Sequence, residues 1–182
     1  MKLRVKKGRH ATNIFFKYFP WGKVLHFRIR FADNCWHENL PQPCASDLNK
    51  LLYLGNFQAH KRGASFRYHC WNGELWIFYG LHWDWVQCNQ NPIGTTWGKV
   101  KLVQRGSQEY TDLKIDIRKG VQWYCDGKLV KSLPNQFKWN QHFMCGMWFG
   151  GGPMSDHCVA PHDMDYDVKV KIGKIFGKEI WL

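Results

Sequence analysis

Asp163, Asp165 and Asp167 stand at every second position near the end of the chain. Alternate residues of a strand project from one face, so this spacing sets three carboxylates in a row. Paired carboxylates are the equipment of glycoside hydrolysis, one as acid and base, the other as nucleophile. Retaining enzymes hold the two ~5–5.5 Å apart. The ends of this row lie ~13 Å apart on an ideal strand, a gap that short aspartate side chains close poorly. The same residues also read as the wet face of a strand running on into Lys169 and Lys171, with its charges balanced locally. A calcium site is disfavoured, because a strand does not wrap an ion.

A second group is aromatic. In Glu74–Gly80, Leu75, Ile77 and Tyr79 fall on one face and Trp76 and Phe78 on the other, so one set enters the core. Trp76, His82, Trp83, Asp84 and Trp85 form a candidate ligand-binding group. Indole faces stack on sugar rings while Asp and His bond to hydroxyls. The alternatives are a core rich in large residues and an oligomer interface, where aromatics are enriched.

A third group is cationic: Lys2, Arg4, Lys6, Lys7 and Arg9. Such clusters attract phosphate, and Phe15, Phe16, Tyr18, Phe19 and Trp21 follow as possible stacking partners for bases. No RRM, KH or helix-turn-helix signature accompanies them, so nucleic acid is disfavoured. Lys2, Arg4 and Lys6 alternate with Leu3 and Val5, which reads as an edge strand guarded by cations. It reads equally as an arm that docks on an acidic neighbour, and on that reading removing residues 1–10 leaves the domain folded and weakens assembly.

The elements that position these groups must fit a chain of 182 residues, enough for one domain with its own core. The apolar fraction of 45% excludes a disordered chain. Of the net charge of +12, residues 1–30 supply nine cations and no acid, and the remainder is nearly balanced, 17 basic against 14 acidic. No run reaches ~18 apolar residues, so no membrane span is expected, and no apolar segment of a secretory signal follows the basic start. The seven cysteines are odd in number and none forms C-x-x-C. With no leader, they point to folding in a reducing compartment. His157-Cys158 and the pair His69 and His82 read as buried or surface side chains rather than metal ligands, and no cofactor is expected.

Period two dominates the chain. Lys23–Phe31, Tyr110–Arg118 and Asp163–Ile172 each alternate apolar with charged residues, the pattern of antiparallel strands with one wet face. Asp126-Gly127 predicts a tight hairpin between 121–125 and 128–132, and Asn72-Gly73 another between Phe66–Cys70 and Leu75–Tyr79. The single helical candidate is Ser46–Leu52, capped by Ser46. Segments 33–44 and 150–161 read as loops. Many short strands with regular turns indicate an all-β sandwich or barrel.

Two segments resemble a known group. Val121–Val130 is similar to the strand, D-G turn, strand hairpin of laminin-G and concanavalin A-like domains. Met147-Trp-Phe-Gly-Gly and Ala160-Pro-His-Asp-Met164 resemble the ending of small concanavalin A-like domains of anaerobic gut bacteria and their phages. Asp47–Leu51 and His69-Cys-Trp-Asn72 sit where that group has similar words. The resemblance implies a two-sheet antiparallel jelly roll, often with glycans on a concave sheet, and members that are binding modules or hydrolases. Asp163-x-Asp165-x-Asp167 resembles the carboxylate strand of laminarinase-type glucanases. Residues 1–22 are then an arm or edge strand, and 23–182 one sandwich domain. The function expected is non-enzymatic: a phage virion surface protein, made in the host cytoplasm, with other virion proteins or its own copies as partners. The alternatives are a carbohydrate-binding lectin-type module and a glycoside hydrolase.

Overall fold

Two Gly turns fold the chain back on itself. Asn72 and Gly73 have φ of 51° and 76°, Asp126 and Gly127 of 48° and 77°. Positive φ at both central residues matches the right-handed twist of the flanking strands. The computed structural model describes residues 1–13, 17–18, 23–37, 48–55, 62–83, 95–134, 143–145, 147, 149, 158–175 and 178–182. In chain order its strands are β1 (Lys2–Val5), β2 (Lys17–Tyr18), β3 (Val24–Phe31), β4 (Asn49–Gly55), β5 (Arg62–Trp71), β6 (Glu74–Trp83) and β7 (Thr95–Val103). They continue with β8 (Thr111–Asp116), β9 (Val121–Cys125), β10 (Lys128–Leu133), β11 (Phe143–Cys145), β12 (Met164–Ile175) and β13 (Lys178–Trp181). A 3-10 turn at Asp33–Cys35 is the one helical piece among the described residues.

The strands form two antiparallel sheets. One has seven strands in the order β1-β12-β3-β8-β9-β10, with β13 also on β12; the other has six, β2-β11-β4-β5-β6-β7. Phe27, Ile29, Leu113, Ile115, Trp123, Val168 and Val170 of the first meet Leu51, Leu52, Leu54, Phe66, Tyr68, Leu75 and Ile77 of the second in one core. Each such side chain contributes ~1.5–3 kcal/mol by leaving water. Phe27 meets Phe66 edge-on at 6.1 Å between centroids, and the hydroxyls of Tyr68 and Tyr166 hydrogen-bond across the sheets. On β6 it is Leu75, Ile77 and Leu81 that enter the core cluster. Trp76 and Phe78 therefore face the opposite way.

Two expectations are corrected, and the state of four cysteines is added. The helix at Ser46–Leu52 is strand from Asn49 onward, and residues 46 and 47 lie outside the described residues. The β4–β5 register shifts between Lys50 and Tyr53, and neighbouring Leu51 and Leu52 are both fully buried. A bulge of this kind breaks the two-residue period and imitates a helical pattern. Of the two readings of the N-terminal segment, the edge strand holds and the free arm does not: β1 pairs residue for residue with Met164–Asp167 at the sheet edge, and Leu3 and Val5 are each 1% exposed in the core. Cys158 is disulfide-bonded, whereas Cys35, Cys70 and Cys125 are buried thiols. Burial pushes the Cys125 thiol up to about 12, so it stays protonated at neutral pH.

Both ends of the chain run along one edge of β12. The amide of Val168 bonds to the Met1 carbonyl at 2.8 Å, and Val170 and Leu182 exchange two bonds of 2.9 and 2.8 Å. Strands β1 and β13 thus lie end to end on the same neighbour.

Candidate functional site

The face of the six-stranded sheet turned away from the core gathers the unusual side chains. On β5, Ala64, Phe66, Tyr68 and Cys70 belong to the core, so the alternate residues Ser65, Arg67 and His69 face outward. The register extends this into rows. Lys50, Arg67, Phe78 and Lys99 stand side by side across β4 to β7, and Tyr53, Ser65, Gly80 and Trp97 form the next row. His69 stands opposite Trp76.

Two glycines shape the floor. A Cβ on Gly80 would lie 2.7 Å from Arg67 Nε, so the Arg67 side chain lies flat across that position. A Cβ on Gly63 would lie 2.0 Å from the Tyr53 ring. Arg67 Nε donates to Ser65 Oγ at 3.2 Å, which fixes the guanidinium along the strand. The residues of this floor are themselves buried, and the exposed rings of the face are indoles. Trp71 is 53% exposed and Trp97 50% exposed, and Trp97 meets buried Phe78 edge-on at 5.9 Å. The Lys99 ammonium lies 4.3 Å from the Trp76 ring and 5.5 Å from Trp71. Trp76 Nε1 donates to Glu74 at 2.9 Å. At the same end buried His37 meets His69 at 5.7 Å. Burial first, then the neighbouring His69 and His162, lowers the His37 pKa to about 4, so it is neutral at pH 7.

Of the aromatic group read from the sequence, Trp76 is thus on this face. His82 and Trp83 end β6 opposite Gly63 and Arg62; their side chains, and Asp84 and Trp85 entirely, lie outside the described residues. Sequence reading missed Trp71, Trp97, Lys99, Arg67 and Tyr53. The available signal was the alternation of Ser65, Arg67 and His69 with apolar residues.

The aspartate row and the basic segment meet on the other sheet, on its outer face. Lys2 bonds Asp167 at 2.9 Å, and Arg4 bonds Asp165 through two contacts of 2.6 and 2.9 Å. Arg4 also lies 3.5 Å from Asp163. Asp167 accepts further bonds from Arg30 at 3.0 Å and Tyr110 at 2.7 Å, and Asp165 one from Asn34 at 2.9 Å. Two groups that the sequence offered as separate sites therefore neutralise each other. The Arg4 hydrogen bond lowers the Asp165 pKa against burial. Burial alone would raise that of Asp167, but bonds from Tyr110 and Lys2 outweigh it and hold it at about 2. A general acid needs the opposite shift, toward neutrality.

This arrangement has a pH consequence. The folded-state pKa of Asp167 is below its ordinary value of 3.8. Its contribution, ~2 kcal/mol, is therefore complete above that value and is lost as pH falls through the folded one. Urea unfolding at pH 7 and pH 2.5 should show Asp167→Asn already weakened by about that amount at pH 7 and with a smaller further loss in acid. Equal acid sensitivity in both proteins would contradict the assignment.

No protein-family model matches the chain, and no curated protein matches it. Among solved structures it is similar to an alginate lyase in complex with an alginate tetrasaccharide, with a TM-score of 0.54 at 14% identity over 96% of this chain and 81% of that one. It is also similar to a lichenase derived from a mouse hindgut metagenome, with a TM-score of 0.48 at 10% identity over 93% of this chain and 78% of that one. At such identities the likeness is one of fold. The two antiparallel sheets and this likeness make the chain a concanavalin A-like jelly-roll sandwich.

Proposed function

We propose that the chain is a carbohydrate-binding protein whose ligand lies across the outer face of the six-stranded sheet. The observation that carries this is the pair of half-exposed indoles, Trp71 and Trp97, on the outer face of one sheet, with the exposed Lys99 ammonium 5.5 Å from Trp71. Exposed apolar patches, unlike single exposed side chains, mark surfaces that meet a ligand or partner. A sugar ring offers an apolar face to the indoles and hydroxyls to Lys99 beside them, the mixture that small-ligand sites show. The capture of an alginate tetrasaccharide by an alginate lyase of this fold fits the reading. Catalysis by Asp163, Asp165 and Asp167 is left out of it, since these carboxylates are bound to cations on the other sheet. The virion reading rested on a lectin-like fold, unpaired cysteines, the lack of a leader and a basic arm; β1 is sheet rather than arm, and no observation favours that reading.

Affinity electrophoresis through gels containing neutral and acidic polysaccharides tests the proposal. Trp97→Ala is expected to weaken retardation about tenfold, ~1.4 kcal/mol, with an unchanged melting temperature. Undiminished binding in both Trp97→Ala and Trp71→Ala would overturn it.

A further inference from the structure

Once β1 has paired Lys2 and Arg4, three cations of the basic segment remain. Lys6, Lys7 and Arg9 are exposed on the turn that follows, and no described carboxylate pairs with them. The turn is held firmly. Arg9 N bonds the Lys6 carbonyl at 3.0 Å, Gly8 N bonds Ala160 O at 2.9 Å, and Ala160 N bonds Arg9 O at 3.0 Å. Lys7 N donates to Asp163 Oδ1 at 2.9 Å. Gly8 takes a φ of 72°, a conformation that side chains disfavour and that closes this turn. The backbone is thus ordered before any partner arrives, and binding there need not order it.

Buried side chains link the turn to the six-stranded sheet. Next to Arg9, His10 exchanges bonds of 2.7 and 2.9 Å with Phe149. The Phe149 ring lies 5.4 Å from His37, which lies 5.7 Å from His69 on the outer face.

We propose that the Lys6–Arg9 turn is a docking point for an acidic polysaccharide, one carrying carboxylates along its length. The inference extends the glycan reading of the tryptophan face and rests on it for the choice of a saccharide. A nucleic acid is the other polyanion that three cations could take, and the test below separates the two. Charge pairing at exposed sites is weak singly and screened by salt, so three fixed cations should act together on a polymer and fade as salt rises.

The test uses the full chain with Lys6→Gln, Lys7→Gln and Arg9→Gln combined. None of the three side chains is buried, so the fold should be kept, which circular dichroism checks. The probes are polygalacturonate, a neutral β-glucan and a single-stranded DNA 20-mer. The expected result is about tenfold weaker binding of polygalacturonate and a flatter salt dependence, with β-glucan binding unchanged. Equal polygalacturonate binding by parent and variant, or no binding by the parent, would overturn the proposal. Tighter parent binding of DNA than of polygalacturonate would replace the saccharide by nucleic acid. If the triple variant loses polygalacturonate binding while Trp97→Ala keeps all binding, the turn stands and the tryptophan face falls. If Trp97→Ala loses β-glucan binding while the triple variant loses nothing, the reverse holds.

Discussion

A chain lacking residues 1–5 is expected not to fold. Leu3 and Val5 are each 1% exposed within the inter-sheet core, and a Leu-to-Ala change at such a site costs ~2–5 kcal/mol. Deletion removes both, together with the ladder from β1 to Met164–Asp167. It also strips Asp165 and Asp167 of Arg4 and Lys2, leaving partly buried carboxylates short of charge partners. The summed loss reaches the ~5–15 kcal/mol on which a domain's whole stability rests. Urea denaturation followed by circular dichroism should show no cooperative transition, and Leu3→Ala alone should lower the midpoint with the transition intact. A truncated chain with a cooperative transition at a urea midpoint close to the parent's would return residues 1–5 to the status of a dispensable arm.

The same strand shows what the sequence could and could not reveal. Lys2 and Arg4 with Leu3 and Val5 read plainly as an alternating strand, and Asp165 and Asp167 as another. Their pairing joins residues 165 positions apart, and no local pattern encodes such a register. Local signals did better. Asn72-Gly73 and Asp126-Gly127 adopt the positive φ that their types favour, and β3, β8 and β12 alternate because one face of each is wet. Strand β4 was lost to its bulge. Strand β7 was missed because its alternation begins only at Trp97, and with it went half of the tryptophan face. The choice between core and ligand for the aromatic group was a choice between two faces of one sheet. Period two separates those faces but does not say which one the other sheet covers.

Trp123 ties that face to the core, and its removal should be the largest single-residue effect on stability. The side chain is fully buried, with its ring 5.5 Å from Tyr79 on the opposite sheet. Its Nε1 donates to the Ser65 carbonyl at 3.1 Å, while the Ser65 hydroxyl accepts from Arg67 on the outer side. Trp123→Ala opens a cavity between the sheets and should cost ~3–5 kcal/mol. Trp123→Phe keeps most of the volume and removes only the indole donor, for ~1 kcal/mol. Urea midpoints measured at constant slope separate the two. A loss below ~1 kcal/mol in Trp123→Ala would mean that the indole is not core. Because Ser65 couples the two sides, Trp123→Phe should also loosen Arg67 against Gly80 in a protein that remains folded.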